Sequence, residues 1–179
     1  MTTGWSRVRH PLVLAGLCLA FGLILAHQAG LRFNTTRSIP LGLYIMSNDP
    51  IVKGDSVLWC PPERPAFDLA KERGYIGAGF CPGGYGNMMK KVMASHHDVV
   101  SVTDEGVTIN GILLPSSQPV EADSMGRPLP RFRVTDHVLA ASELLLLSDT
   151  NSRSFDARYF GPVHRAHIQS RIYPVWTWE

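Results

Sequence analysis

An uninterrupted apolar run near the N-terminus, Leu12–Ala26, is the strongest hydrophobic pattern in the chain. As a helix its 15 residues extend about 22 Å, and Pro11 with residues 27–30 brings the length towards the ~30 Å of a bilayer core. A buried helix of a soluble domain would usually carry a polar stripe, and this run has none. A cleavable signal peptide needs small residues at −3 and −1, but each available pair includes His27 or Gln28. The pattern favours an uncleaved signal anchor, with a cleaved signal peptide as the alternative.

Two arginines, Arg7 and Arg9, precede this run. Positive charges flanking an apolar segment stay on the cytoplasmic side, so the remainder of the chain is expected on the opposite side of the membrane. Residues 1–30 are therefore interpreted as a signal anchor or signal peptide, and residues 31–179 as one compact domain.

Short β-prone runs separated by turn residues dominate the chain after residue 31, and they predict a mainly β body. A brief helix is expected at Phe67–Tyr75. A loop is expected at Ala78–Asn87, which holds four glycines and a proline, and an excursion from the sheet at Pro115–Pro130. Val138–Ser148 is Leu-rich, and both strand and helix remain open there. The predicted strands are Leu43–Met46, Ser56–Cys60, Lys90–Ala94, Val99–Thr103, Val107–Gly111 and Val163–Trp176.

Composition excludes two classes of protein. A content of 45% apolar residues is too high for a disordered chain. A net charge of +2 with scattered lysines and arginines provides no basic face and argues against nucleic acid as a partner. Cys18 lies inside the apolar run, so Cys60 and Cys81 remain in the body. An oxidising compartment would allow these two to form a disulfide, and two buried free thiols are the alternative.

Candidate chemistry begins with a serine and a lysine. Serine is a weak nucleophile at neutral pH and needs a base, and a lysine serves only if desolvation lowers its pKa by several units. In a strand, Lys90 shares one face with the apolar Met88 and Val92, whereas Lys91 points the opposite way, towards solvent. Lys90 is therefore the better candidate base, and Ser38 stands in a loop soon after the apolar run.

Three segments in this order, Asn34–Tyr44, Met88–Val92 and Ser148–Val163, resemble the signature boxes of the signal peptidase I superfamily. The resemblance implies that Ser38 is the nucleophile and Lys90 the general base. It also implies that the Ser38 backbone N–H and the Thr36 hydroxyl bind the oxyanion of the tetrahedral intermediate.

The third segment supplies supporting residues by the same resemblance. Ser154 is expected to orient the lysine, and Asp156 with Arg158 to form an ion pair beneath the site. A carboxylate in contact with Lys90 would raise the pKa of that lysine and weaken it as a base. Asp156 should therefore bind Arg158 or backbone N–H groups instead of the lysine. Asp149 and Asn151 are expected to tie down this loop.

The Ser-x-Pro-x-Gly-x-Tyr spacing from Ser38 and the Cys81-Pro82-Gly83 sequence resemble the TraF-type conjugative-transfer peptidases. This resemblance implies a signal-peptidase-like (LexA-like) β-sheet fold and a periplasmic catalytic domain on the inner membrane, or a periplasmic protein if the signal is cleaved. It also implies a pilin precursor as substrate, other proteins of the conjugation apparatus as partners, and no metal or organic cofactor. The same resemblance implies that some relatives join the ends of pilin into a ring, so cyclisation of the product is a possible outcome here. The altered residues Ala94–Asp98 leave the shape of the substrate pocket open.

Other functions remain as alternatives. A general type I signal peptidase would share the serine and the lysine, and a non-catalytic periplasmic component of a conjugation or secretion apparatus would share the fold. A self-cleaving regulator on the same fold is disfavoured by the membrane segment. The histidine pairs His96-His97 and His164/His167 lack the cysteine or glutamate that would complete a metal site.

Overall fold

The computed structural model describes residues 5–178. A long N-terminal helix, α1, precedes a body of short strands with two further short helices. The elements are α1 (Trp5–Gln28), β1 (Leu31–Asn34), β2 (Leu41–Ser47), β3 (Ser56–Trp59), α2 (Pro65–Glu72), β4 (Ala78–Cys81), β5 (Met88–Ala94), β6 (Val99–Val102), β7 (Val107–Ile109), β8 (Ile112–Leu113), β9 (Val134–Val138), β10 (Glu143–Leu147), α3 (Ala157–Phe160), β11 (Val163–His164) and β12 (Ile168–Trp178).

Two antiparallel sheets make up the body. The larger has seven strands in the order β1-β2-β12-β3-β5-β10-β11, and the smaller has four in the order β8-β7-β6-β9. In the larger sheet β5 lies between β3 and β10, with Lys90 opposite Val57 and Lys91 opposite Leu147. This central position buries much of β5 and explains how a lysine in it loses contact with water. The predicted mainly β fold is confirmed.

Helix α1 presents its apolar side chains to the outside. Its segment Pro11–Gln28 has a mean hydropathy of 1.8, and none of that segment is buried within the protein. The interpretation as a buried helix of a soluble domain is therefore wrong. At 24 residues the helix is about 36 Å long, which is enough to cross a bilayer core.

One hydrophobic core joins the two sheets to α2 and α3. At its centre Phe67 packs against Trp59 and Phe160, with ring centroids 5.7 and 5.0 Å away. Phe155 packs against Phe67 and Phe160 from the segment that precedes α3. These aromatic contacts fix the position of the Ser148–Val163 segment relative to the sheets.

Several boundaries differ from the sequence expectations. Helix α2 begins earlier than predicted because Pro65 occupies its first turn, where proline costs no hydrogen bond. The expected loop Ala78–Asn87 contains β4, which forms bridges with Tyr85. The Leu-rich segment becomes strand β10, since pairing with β5 and β11 buries its leucines. The expected C-terminal strand is interrupted by a single 3-10 turn at Arg165–His167.

Candidate active site

The loop between β1 and β2 carries Ser38 and is held from within by Asn34. The Asn34 side chain is buried, and its Nδ2 donates to the carbonyl oxygens of Thr36 (2.8 Å), Ile39 (3.0 Å) and Pro40 (3.0 Å). Its Oδ1 accepts from the Thr36 backbone N–H at 3.1 Å. One amide group thus bonds to backbone on both sides of Ser38 and fixes the shape of the loop. Sequence reasoning gave Asn34 no role, although an asparagine two residues before its partner N–H is the pattern of an Asx turn.

The residues after Ser38 explain the Ser-x-Pro-x-Gly-x-Tyr spacing. The Tyr44 hydroxyl donates to the Pro40 carbonyl oxygen at 2.7 Å, which ties the end of the loop to β2. Gly42 lies where β12 passes closely: a Cβ there would stand 2.2 Å from the Trp176 carbonyl oxygen. Any larger residue would push β2 and β12 apart, so glycine is needed for the sheet to form beside the loop.

Lys90 reaches this loop from β5. Its side chain is only 1% exposed, and its Nζ lies 2.6 Å from the Ser38 Oγ and 2.5 Å from the Ser154 Oγ. The two serine oxygens are 3.3 Å apart. The structure therefore brings together the three side chains that the sequence named, from three distant segments. Ser154 is buried, whereas Ser38 is partly exposed, so the latter is the more accessible hydroxyl.

Burial lowers the pKa of Lys90 from 10.5 to about 8, while the nearby Asp156 raises it and Arg158 lowers it. A pKa near 8 leaves about a tenth of the lysine uncharged at pH 7 and lets it accept a proton. Lys91, on the other face, is about one-third exposed and pairs with Asp149 at 2.5 Å. The two adjacent lysines therefore differ in burial, as the alternation of side chains along a strand predicts.

An ion pair lies beneath the site. The Asp156 carboxylate accepts from the Arg158 Nε and Nη2, both at 2.8 Å, and both side chains are fully buried. The remaining Arg158 donors reach the carbonyl oxygens of Asn151, Ser152 and Ser154. Asp156 also caps α3 through the Arg158 backbone N–H. Arg158 thus organises the loop that presents Ser154, and the Asp156 carboxylate bonds to the arginine and to backbone groups.

The two expected oxyanion donors differ in availability. Among the hydrogen bonds within residues 5–178, none uses the backbone N–H of Ser38, which leaves that group free to donate. The Thr36 hydroxyl instead donates its single proton to the Asn34 Oδ1 at 3.1 Å. The Thr36 hydroxyl would have to give up this hydrogen bond and turn its proton to donate to an oxyanion.

A cleft of about 420 Å³ opens over these groups. Ser38, Lys90 and Ser154 line it together with the loop residues Asn34–Arg37 and apolar side chains that include Leu58, Met89 and Phe155. A disulfide stands beside the cleft: Cys60, just after β3, is joined to Cys81, at the end of β4, with Cα atoms 5.4 Å apart. Of the two alternatives for these cysteines, the structure has the bridge.

Comparison with known proteins finds a family model, relatives in sequence and solved structures. A family model described as "Signal peptidase, peptidase S26" matches residues 5–178. The chain is 53% identical over 173 residues to plasmid transfer protein TraF of Escherichia coli, covering 97% of each chain. It is 32% identical over 168 residues to conjugal transfer protein TraF of Agrobacterium fabrum, covering 93% of each. A signal peptidase I of Enterococcus faecalis, a solved structure, is 19% identical, with a TM-score of 0.39 over 70% of this chain and 98% of that chain.

Proposed function

This chain belongs to the signal peptidase S26 family, and from that premise we propose that it is a serine endopeptidase with a Ser/Lys dyad that processes a precursor protein in conjugative transfer. The conjugative part of the proposal is supported by relatives named for plasmid and conjugal transfer. A pilin precursor is the proposed substrate.

One observation carries the proposal: the buried Lys90 Nζ lies 2.6 Å from the Ser38 Oγ at the wall of an open cleft. Burying a lysine in such a place costs stability, and strongly shifted pKa values of this kind are concentrated at functional sites. Among residues 5–178 no carboxylate forms an ion pair with Lys90, since Asp156 bonds to Arg158 and raises the Lys90 pKa only from a distance. The arrangement fits a general base positioned to accept the proton of a serine nucleophile.

In the proposed reaction, Lys90 accepts the Ser38 hydroxyl proton as the Oγ attacks the scissile carbonyl. The resulting oxyanion is bound by the Ser38 backbone N–H, with Thr36 as second donor after rotation. Collapse of the intermediate breaks the C–N bond, and the protonated Lys90 returns its proton to the leaving amine. Ser154 hydrogen-bonds Lys90 and holds it in line. Water, activated by neutral Lys90, then hydrolyses the ester.

A second fate of the acyl-enzyme is attack by an amine of the substrate itself. If the N-terminus of the same peptide lies close to the ester, the effective concentration of that amine exceeds that of a free peptide by orders of magnitude. The product is then a cyclic peptide, lighter by one water than the hydrolysed chain.

For location, we interpret α1 as a signal anchor that holds residues 31–179 at the periplasmic face of the inner membrane. Its exposed apolar surface and the arginines before the apolar run support this arrangement. A signal sequence that is removed would instead leave a periplasmic enzyme, and recovery of a mature chain beginning near Leu31 would establish it.

The test is to co-express the chain with the pilin precursor of its transfer system and to measure the masses of the products by mass spectrometry. The wild type should give one shortened product, and Ser38→Ala and Lys90→Met should give only the precursor. Lys91→Met is the matched control and should retain processing, because Lys91 lies on the other face of β5. Processing by Ser38→Ala at the wild-type rate would contradict the proposed function. A product mass lower by one water would identify cyclisation.

A further inference from the structure

The charged side chains in the wall of the cleft all have the same sign. Arg32, Arg37, Lys90 and Arg153 line it, and within residues 5–178 no aspartate or glutamate does. The protein as a whole is nearly neutral, with a net charge of +2. The positive charge is therefore concentrated where a substrate would bind.

Two of these arginines, Arg37 and Arg153, are without partners among the residues that the structure describes. In the part of the chain that the structure describes, the guanidinium groups of Arg37 and Arg153 form neither an ion pair nor a hydrogen bond, and both residues are exposed. Arg32, by contrast, donates to the carbonyl oxygens of His27 and Leu31. Elsewhere on the body, five arginines are paired with carboxylates; these are Arg127, Arg131, Arg133, Arg158 and Arg171. Arg37 and Arg153 therefore remain available for a ligand.

Their positions suit an extended peptide. Arg37 immediately precedes Ser38, and Arg153 immediately precedes Ser154, so one arginine adjoins each of the two serines that touch Lys90. Each also lines a neighbouring cavity: Arg37 one of about 480 Å³ beside Trp178, and Arg153 one of about 300 Å³, whose carboxylate, Asp123, is bound by Tyr75 and Arg127. Each arginine therefore borders both the cleft and a second cavity, and the two second cavities are lined by different residues.

We propose that the cleft selects polypeptides that carry a carboxylate within a few residues of the scissile bond, bound by Arg37 or Arg153. This inference rests on the proposed peptidase function. The planar fork of a guanidinium matches a carboxylate with two parallel hydrogen bonds. The carboxylate belongs to an aspartate or glutamate side chain or to the C-terminus of a short leaving peptide; both present the same chemistry. A substrate with lysine or arginine at these positions is repelled.

Selection can be separated from a general effect on catalysis. Positive charge near Lys90 also favours its neutral form, so removing an arginine can slow the reaction of every substrate. The ratio of kcat/KM for two substrates measured with one enzyme cancels any such common effect. A change in that ratio reports recognition alone.

The experiment uses peptides spanning the cleavage site mapped in the pilin precursor, with the full-length enzyme in detergent. At each of the four positions on either side of the bond, glutamate is compared with glutamine and with lysine. A further pair ends in a free or an amidated C-terminus, which distinguishes the two sources of the carboxylate. The enzymes are the wild type, Arg37→Glu, Arg153→Glu and, as a control, Arg131→Glu. The Arg131 side chain is 60% exposed and lies outside the cleft.

At low salt the wild type should prefer the carboxylate at one position by about threefold to tenfold, and salt should reduce this preference. Either Arg37→Glu or Arg153→Glu should invert it in favour of lysine, whereas Arg131→Glu should leave it unchanged. Equal wild-type kcat/KM values for glutamate, glutamine and lysine at every position, and for both C-termini, would overturn the selection and leave the peptidase intact. A wild-type preference that neither charge reversal alters would also overturn it. Failure of the wild type to process the precursor, so that no cleavage site can be mapped, would overturn the proposed function itself.

Discussion

Replacement of Lys90 by methionine is expected to abolish processing and at the same time to stabilise the fold. The lysine is 1% exposed, and burial lowers its pKa from 10.5 to about 8. This difference in the pKa of Lys90 between the folded and unfolded states destabilises the fold by about 3 kcal/mol, at about 1.4 kcal/mol per pKa unit. Methionine has a similar length and no charge, and its neighbours in β5 include Met88 and Met89.

Part of this gain is offset by lost hydrogen bonds. Lys90 donates to the Ser38 and Ser154 hydroxyls, and each bond contributes roughly 1 kcal/mol. The serine hydroxyls are close enough to bond to each other after the substitution. The net stabilisation at pH 7 is therefore about 1–2 kcal/mol, which raises the Tm of a chain of this size by about 2–8 °C.

The stability difference between Lys90→Met and the wild type should also depend on pH, and this dependence is more specific than the difference at pH 7 alone. Because the pKa of Lys90 is lower in the folded state, the unfolded state binds more protons between about pH 8 and pH 10.5. The cost of burying the lysine is complete below pH 8 and disappears as the pH rises towards 10.5. The advantage of Lys90→Met should therefore be large at pH 7 and small or reversed at pH 10.

Thermal unfolding of the full-length chain in detergent, monitored by circular dichroism, measures the Tm difference between Lys90→Met and the wild type at pH 7 and at pH 10. Lys91→Met is the matched control, since Lys91 is paired with Asp149 at the surface and its loss should bring no stabilisation. An unchanged or lower Tm for Lys90→Met at pH 7, with the same difference at pH 10, would refute the reasoning.

Three further predictions follow from the site. In steady-state assays kcat/KM should rise with pH as a single ionisation near the Lys90 pKa of about 8, and a flat profile from pH 6 to 10 would contradict a lysine base. Asn34→Asp keeps the acceptor for Thr36 but removes the donors to three carbonyl oxygens, so kcat should fall about tenfold or more with little change in KM; unchanged kcat would contradict a positioning role. Replacing both Cys60 and Cys81 by serine opens a loop with a sequence separation of 21 and should cost about 3 kcal/mol, measured by denaturant unfolding with and without reductant; equal stability would show that the bridge does not contribute.

Local sequence pattern was sufficient for the parts of the fold that depend on alternation and turns. The alternation in Met88–Val92 distinguished Lys90 from Lys91, because side chains in a strand point to opposite faces whatever the partner strands are. The resemblance to signal peptidase I supplied the roles; chemistry alone supplied the need for a buried base.

Other features depend on contacts between distant segments, and pattern alone did not reveal them. Strand β10 is a strand because β5 and β11 lie on either side of it, and its leucines fit a helix equally well. The Cys60–Cys81 bridge depends on β4, a short strand within a glycine-rich stretch that reads as a loop. The role of Asn34 depends on the path of the loop around it, which returns three carbonyl oxygens to one side chain.

Identification of the residue that carries the acyl group tests the central claim most directly. Lys90 Nζ lies 2.6 Å from the Ser38 Oγ and 2.5 Å from the Ser154 Oγ, so distance does not separate the two serines, and exposure is what favours Ser38. Acid quenching of the enzyme during turnover, followed by proteolysis and mass spectrometry, locates the substrate ester. The account predicts the ester on the peptide containing Ser38 and none in Ser38→Ala. An ester on Ser154, or on any other residue, would contradict it.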